Sequence, residues 1–403
     1  MTRKSPVRSA DIKGASRLAI DATLGLTRLV ETMHQNIART PGPLGTFTQE
    51  PAKGITGLVY RTIQGTTRLV GSGIDLLLDQ LAPLLTADDA SSGTREAILA
   101  ALNGVLGDHL AVTENPLAIR MQVRRDGLPL ELTAQGLAAS LARPTGKLLL
   151  LVHGLCMNDL QWRRNGHDHG EALASTAGFT PLYLHYNSGR HVSSNGHALA
   201  DLLDILLPAW PVPVEQLTIV GHSMGGLVAR SACHYGRLAG HAWPKHLRQM
   251  AFLGTPHLGA PLERGGNWVN RVLEVSPYTA ALARLAKIRS AGITDLRHGS
   301  ILDDDWLHGD RFARARGRII RTPLPPDVNC YAVAVTLAKD AGDRRLLLPG
   351  DGLVPLDSAL GRHKDRQRSL NFPAPNQWIG YGKNHMDLLD SQEVCAQLGR
   401  WLG

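Results

Sequence analysis

Short runs of almost entirely apolar residues, separated by segments with helical spacing, constrain the fold of this 403-residue chain more than any other feature. The run at 147–152 is Lys-Leu-Leu-Leu-Leu-Val, and comparable runs lie at 181–186, 217–220, 249–253 and 330–335. Continuous apolar runs of this length are typical of strands that are buried on both faces. Strands that alternate with helices predict an α/β fold with a mostly parallel central sheet and helices on both faces.

The first 112 residues differ from this pattern. Apolar residues recur at helical spacing in 12–37 and again in 55–81, and Gly25-x-Thr27-Arg28-Leu29-Val30 returns as Gly65-x-Thr67-Arg68-Leu69-Val70. A third helix is expected around 94–110. We therefore predict a helical N-terminal extension at 1–112 and an α/β domain at 113–403. The first two helices fit either peripheral contact with a membrane surface or a hairpin packed on the α/β domain.

The composition of the chain bears on its binding partners and on its location in the cell. The chain is 43% hydrophobic and 19% charged, as globular proteins are, and its formal net charge is +8. A basic chain can bind nucleic acid, but no zinc-finger spacing or RNA-binding signature is present, so no nucleic-acid partner is predicted. The four scattered cysteines form no CxxC pair. Together with the lack of a signal-peptide pattern, they favour a cytoplasmic location, with membrane association as a further option.

A candidate nucleophile lies between an apolar run and a helix-like segment. The motif is Gly221-His222-Ser223-Met224-Gly225. A sharp strand-to-helix turn exposes the middle residue, and the flanking glycines remove side chains that would collide there. The helix that follows offers free backbone N–H groups, so the N–H of Met224 is one predicted oxyanion donor. A second donor is predicted in the loop after the strand at 147–152, where Gly154 permits a close approach of the Leu155 N–H.

A serine hydroxyl needs a base with a pKa near neutrality, and a carboxylate to hold that base in one tautomer. The chain order serine, acid, histidine favours His385, which follows an expected strand at 378–381. Asp351, between Gly350 and Gly352, is the predicted acid. The rival carboxylates are Asp340, Asp343, Asp357 and Asp387. His153 and His257 are predicted to brace loops, and His222 is expected to point away from the site.

Five motifs together resemble the lipase and esterase branch of the α/β-hydrolases, especially bacterial lipase-like proteins and the GPI inositol-deacylase group. The matching text is His153-Gly154, Gly221-His-Ser-Met-Gly-Gly226, Gly254-Thr-Pro-His-Leu-Gly-Ala260, Asp351-Gly-Leu-Val-Pro355 and Asn384-His385. The resemblance covers roughly 113–403 and implies the α/β-hydrolase fold. It also implies a triad of Ser223, Asp351 and His385, with Leu155 and Met224 as oxyanion donors.

The resemblance implies hydrolysis of a lipid or other acyl ester through an acyl-enzyme, with no cofactor. A thioesterase or amidase could use the same triad, and a non-catalytic interaction protein could share the fold. The segment 258–326 is predicted to form a helical cap over the site, or else an extra helical pair packed in the core. The loop 187–195 could rim the site or be a polar surface loop. His167 and His169 have no further ligands close in sequence, so no metal site is predicted. No oligomeric state is predicted.

Overall fold

The computed structural model describes residues 93–260, 290–307, 322–343 and 350–403. The predicted helices at 12–37 and 55–81, and with them the repeated text, lie outside the described residues. Most of the predicted cap at 258–326 does too.

An eight-stranded sheet forms the centre of the described structure, in the order β2-β1-β4-β3-β5-β6-β7-β8. Strands β3 to β8 pair in parallel, whereas β1 pairs antiparallel with both β2 and β4. The strands are β1 (Gln122–Arg125), β2 (Leu128–Pro129), β3 (Lys147–Val152), β4 (Thr180–His185), β5 (Gln216–His222), β6 (Leu247–Leu253), β7 (Asn329–Thr336) and β8 (Gln377–Tyr381). The predicted mostly parallel sheet is therefore confirmed.

Helices connect these strands. The α-helices are α1 (Gly93–Val112), α2 (Ala134–Ser140), α3 (His169–Ala177), α4 (Val192–Leu206), α5 (Met224–Leu238), α6 (Ala291–His298), α7 (Asp304–Leu307), α8 (Leu356–Ala359) and α9 (Gln392–Leu402). The third predicted helix corresponds to α1. A short 3-10 helix at His385–Leu389 follows β8.

The two faces of the sheet are covered by different helices. Leu149 and Leu151 of β3 are fully buried in one apolar cluster with Leu173 of α3 and Leu398 of α9. On the other face, the Cys233 sulfur of α5 lies 3.7 Å from the Met250 sulfur of β6. Successive strand residues point to opposite faces, so strands covered on both sides must be apolar throughout. This explains why their runs were recognisable in the sequence.

Helix α1 packs against the loops that follow β3 and β4. A Cβ added at Gly104 would lie 2.2 Å from the Cys156 sulfur and 2.9 Å from the Cys156 Cα. The Asn187 side chain donates to the Gly107 carbonyl at 2.9 Å. Because only glycine at position 104 allows the helix to approach the loop so closely, α1 is fitted directly to the segment that carries Leu155.

Candidate active site

Ser223 occupies the turn between β5 and α5 in a backbone conformation that few L-residues adopt, with φ 52° and ψ −123°. Glycines make the turn possible. A Cβ at Gly221 would lie 2.6 Å from the backbone of Gly226, and a Cβ at Gly225 would lie 2.1 Å from the Val152 carbonyl oxygen. The strained turn that the sequence predicted is thus present, and such strain is characteristic of functional residues.

Asp351 and His385 form a close buried pair. The His385 Nδ1 lies 2.6 Å from the Asp351 Oδ2, and the residues are 5% and 2% exposed, respectively. The other carboxylate oxygen accepts from the backbone N–H groups of Leu353 and Val354, at 2.9 and 2.8 Å. With the carboxylate held this way, Nδ1 carries the proton and Nε2 is left with a lone pair.

The nucleophile turn and the histidine meet beside the end of β6. The Ser223 N–H donates to the Leu253 carbonyl at 2.8 Å. At the next residue, Gly254, an added Cβ would lie 3.0 Å from the His385 Cε1. The His222 ring centroid is 4.8 Å from that of His385. Ser223 and His385 therefore both border the two-residue segment Leu253-Gly254.

The predicted oxyanion donors belong to residues close to Ser223. Met224 is the first residue of α5, and Leu155 follows Gly154, where an added Cβ would lie 3.1 Å from the Ser223 Cβ. Within the described ranges, neither the Leu155 nor the Met224 N–H has a hydrogen-bond acceptor. Cys156, with φ 60°, fixes the loop because its N–H donates to the Ser188 hydroxyl at 3.0 Å. The arrangement can hold two amide donors near one hydroxyl.

The neighbouring histidines are buried and have structural contacts. The His153 ring stacks on Tyr186 at 4.3 Å, and its Nδ1 lies 2.8 Å from the Gly154 carbonyl. Burial lowers the pKa of His153 to about 3, so the ring is neutral at physiological pH. Its predicted bracing role is confirmed. His257, whose Nδ1 lies 3.3 Å from a nitrogen of the buried Arg230, is likewise structural.

For His222 the sequence interpretation was wrong. It was expected to point away from the site, but its Nε2 lies 3.4 Å from the His385 carbonyl oxygen, and burial lowers its pKa well below the usual value. The neutral ring packs against the turn that carries His385. Sequence alone did not show that the returning C-terminal turn packs against His222.

Two rival carboxylates are engaged elsewhere. Asp387 accepts from the Asn384 N–H at 2.7 Å and so caps the 3-10 helix that begins at His385. Asp340 accepts from the Gly342 N–H at 2.8 Å within its own turn. These contacts are those of ordinary capping and turn residues. Of the carboxylates considered, Asp351 is the one bonded to the His385 ring.

The loop after β4 is not the polar surface loop that the sequence left open. Asn187, Ser188 and Asn195 are each no more than 2% exposed. Their side chains bond backbone groups: Asn195 Nδ2 donates to the Asn187 carbonyl at 2.9 Å, and Ser188 accepts from Cys156. The sequence missed this role. The sequence feature that indicates this role is the pair Gly104 and Gly107. These glycines lie one helical turn apart and give α1 a face that the loop can approach closely.

Comparison with known proteins identifies a related family. Residues 143–322, less than half of the chain, match the family model described as PGAP1-like alpha/beta domain. No curated protein matches the chain.

Similar solved structures include the mature form of Bacillus licheniformis lipase BlEst2, with 16% identity and a TM-score of 0.42 over 70% of this chain and 98% of that chain. Aspergillus fumigatus lipase B has 14% identity and a TM-score of 0.38, and the alignment covers 67% of this chain and 57% of that chain. YbtT, a type II thioesterase from the yersiniabactin pathway, has 15% identity and a TM-score of 0.38. The alignment covers 64% of this chain and 92% of that chain.

The sheet order, the turn at Ser223 and the buried acid–histidine pair are those of an α/β-hydrolase. The described residues thus have the predicted α/β-hydrolase fold, and the match of residues 143–322 to the PGAP1-like alpha/beta domain is consistent with the predicted lipase and esterase branch. This assignment supports hydrolase chemistry in general. Among the residues that the structure describes, no helix has the length and apolar character needed to cross a membrane.

Proposed function

We propose that this chain is a serine hydrolase that cleaves carboxylic esters of lipids or other acyl compounds, with Ser223, His385 and Asp351 as its catalytic triad. The observation that carries the proposal is the 2.6 Å bond between His385 Nδ1 and Asp351, beside the same β6 end that accepts the Ser223 N–H. A base oriented by a buried carboxylate, next to a serine in a strained turn, is suited to acyl transfer.

The proposed reaction begins when His385 Nε2 takes the hydroxyl proton and Ser223 Oγ bonds to the ester carbonyl carbon. The carbonyl oxygen becomes an oxyanion, which the N–H groups of Leu155 and Met224 would stabilise. Collapse breaks the bond to the alcohol, which leaves with the proton from His385. A water molecule, deprotonated by His385, then attacks the acyl-serine and releases the carboxylic acid. This route needs no cofactor.

The hydrogen bonds of Asp351 support its proposed role as the acid of the triad. Asp351 accepts two backbone N–H groups in addition to the His385 ring, so its carboxylate is fixed in orientation before any substrate binds. It can therefore favour the imidazolium that forms in each transition state. A cytoplasmic location, with peripheral membrane contact through the N-terminal residues, is part of the same proposal.

The test measures hydrolysis of p-nitrophenyl esters of increasing acyl length by the wild-type chain and by Ser223→Ala. Labelling with a fluorophosphonate is measured in parallel. We expect the wild type to turn over and to label, and Ser223→Ala to do neither. A matched control is Ser175→Ala, at an exposed serine of α3 whose hydroxyl donates to the Ala172 carbonyl of the same helix. This control should behave as the wild type.

Acyl thioesters and anilides are assayed beside the oxygen esters. A wild type that cleaves thioesters or anilides much faster than esters would replace the proposed substrate class with a thioesterase or amidase. A wild type that neither turns over nor labels would favour a non-catalytic protein. Equal labelling of wild type and Ser223→Ala would mean that Ser223 is not the nucleophile.

A further inference from the structure

A second group of chemically reactive side chains lies next to the 3-10 helix that begins at His385. His167, His169 and Cys395 bring one ligand atom each to within 4.8 Å of one another. The two histidines come from the turn before α3 and from its first residue, and the cysteine comes from α9. The sequence discounted a metal here because no further ligand is near in the chain. Folding supplies that ligand from the C-terminal helix.

The hydrogen bonds of His169 fix which of its nitrogens can bind a metal. Its Nε2 lies 2.9 Å from the Leu388 carbonyl oxygen, which can only accept, so Nε2 carries the proton. The lone pair is therefore on Nδ1, which faces His167 Nε2 at 2.8 Å. A histidine that donates one ring N–H to a carbonyl and directs its other nitrogen inward has the arrangement usual for a metal ligand.

His167 has the complementary arrangement. Its Nε2 is directed to the cluster, and its Nδ1 lies 3.4 Å from the side-chain amide of Gln392, on the same face of α9 as Cys395. Two backbone bonds with Arg164, at 2.9 and 2.8 Å, close the tight turn through Asn165 and Gly166 and hold His167 in place. Both imidazoles are thus oriented before any metal binds.

The three side chains differ in their exposure to solvent. His169 is fully buried, whereas His167 and Cys395 are half-buried, which leaves a path for an ion.

A second cluster of possible metal ligands differs from the His167 cluster because a guanidinium already occupies it. Glu96, Asp159 and His185 also lie within 4.8 Å of one another, but there Arg124 contacts the Glu96 carboxylate at 2.8 Å and that of Asp159 at 3.3 Å. The guanidinium occupies the place of a cation in that cluster and neutralises its charge. The His167 cluster contains two imidazoles and a thiol, which are ligands of a softer type.

We infer that His167 Nε2, His169 Nδ1 and the Cys395 thiolate form a binding site for one Zn²⁺ ion. Two imidazoles and one thiolate suit zinc in tetrahedral coordination, with water in the fourth position. Binding moves the His167 ring proton from Nε2 to Nδ1, where the side-chain oxygen of Gln392 accepts it once that amide rotates, and releases the thiol proton to solvent. Since His169 also bonds Leu388, in the 3-10 helix that carries His385, the ion would fasten α3 and α9 to that helix.

The experiment uses the full chain after treatment with a chelator. Zinc is titrated in competition with a chromogenic chelator, and cobalt(II) is then used as a spectroscopic substitute. We expect one high-affinity zinc per chain, a higher thermal midpoint with zinc, and a thiolate-to-cobalt charge-transfer band. Cys395→Ser should lose that band, and both Cys395→Ser and His167→Gln should lose the high-affinity zinc.

Two further variants make the test specific. Gln392→Ala keeps all three ligands and removes a partner of His167, so its zinc affinity should fall about 10-fold. His246→Gln, in the turn before β6, should bind as the wild type. Circular dichroism verifies that each variant is folded. The inference fails if the wild type binds no zinc more tightly than Cys395→Ser does, or if cobalt gives no thiolate band. Because these measurements do not use ester turnover, they are independent of the proposed hydrolase activity.

Discussion

The contact between α1 and the loop that carries Leu155 predicts that a single methyl group on α1 lowers the rate of catalysis. The perturbation is Gly104→Ala. Its Cβ would lie 2.9 Å from the Cys156 Cα and 3.0 Å from the Cys156 nitrogen, whereas ordinary contacts begin at 3.4 Å. The Cys156 sulfur can rotate away, but its backbone cannot. Helix and loop must therefore separate by about half an ångström.

The expected effect on stability is small. Overpacking a core costs about 1–3 kcal/mol, and alanine gains about 1 kcal/mol over glycine within a helix. The net loss is at most about 2 kcal/mol, against about 5–15 kcal/mol for the unfolding of a typical protein. The variant should remain folded at 25 °C, with a thermal midpoint lowered by a few degrees.

The expected effect on catalysis is larger. Leu155 precedes Cys156, so the loop displacement moves a proposed oxyanion donor by a similar distance. Catalytic groups must be held to within about 0.5 Å, and loss of one oxyanion donor costs about 100- to 1000-fold in rate. We expect kcat to fall at least about 10-fold. KM should change little, because the donor acts mainly on the transition state.

The assay is steady-state ester hydrolysis with a thermal melt of the same sample. Gly399→Ala is the matched control, because an added Cβ at Gly399 of α9 meets nothing within 4 Å. It should keep full activity with an equal or higher midpoint. If Gly104→Ala lowers the midpoint but keeps kcat within about twofold of wild type, the coupling between α1 and the oxyanion loop is refuted.

Three further predictions follow from the same contacts. Asp351→Asn should lower kcat by about 10⁴-fold without unfolding the chain, since the amide favours the wrong tautomer of His385; steady-state kinetics with circular dichroism measure both. The pKa of His153 is lowered to about 3 in the fold, below its ordinary 6.5 in the unfolded chain. Between pH 3 and pH 6.5 the unfolded state therefore binds more protons than the folded state. The contribution of His153 to stability is fully present above pH 6.5 and is lost as the pH falls. Urea unfolding should show a weaker decline for His153→Phe, and an equal decline would contradict the assignment. A chain lacking residues 1–92 should keep its ester hydrolysis and lose salt-sensitive sedimentation with anionic liposomes, whereas one lacking 1–112 should not fold.

The fold was predictable where burial makes sequence pattern unambiguous. Strands such as β3, covered on both faces, are continuously apolar, and Gly221 and Gly350 mark the turns that carry Ser223 and Asp351. Contacts between distant segments leave no such local pattern. Nothing near His169 in the chain indicates Cys395, and the side of β5 on which His222 meets the C-terminal turn depends on how that turn returns to the sheet.

The strand order explains why glycine follows β6. Parallel strands bring their carboxyl ends to one edge of the sheet. Leu155 follows β3, on one side of the nucleophile strand β5, whereas Asp351 and His385 follow β7 and β8 on the other. Strand β6 lies between serine and base, so His385 must reach across its end. A Cβ at Gly254 would lie 3.0 Å from His385 Cε1 and 2.6 Å from a Leu388 methyl carbon, and its φ is 59°. Both the space and the backbone conformation therefore require glycine, because any side chain there would push the imidazole away from Ser223.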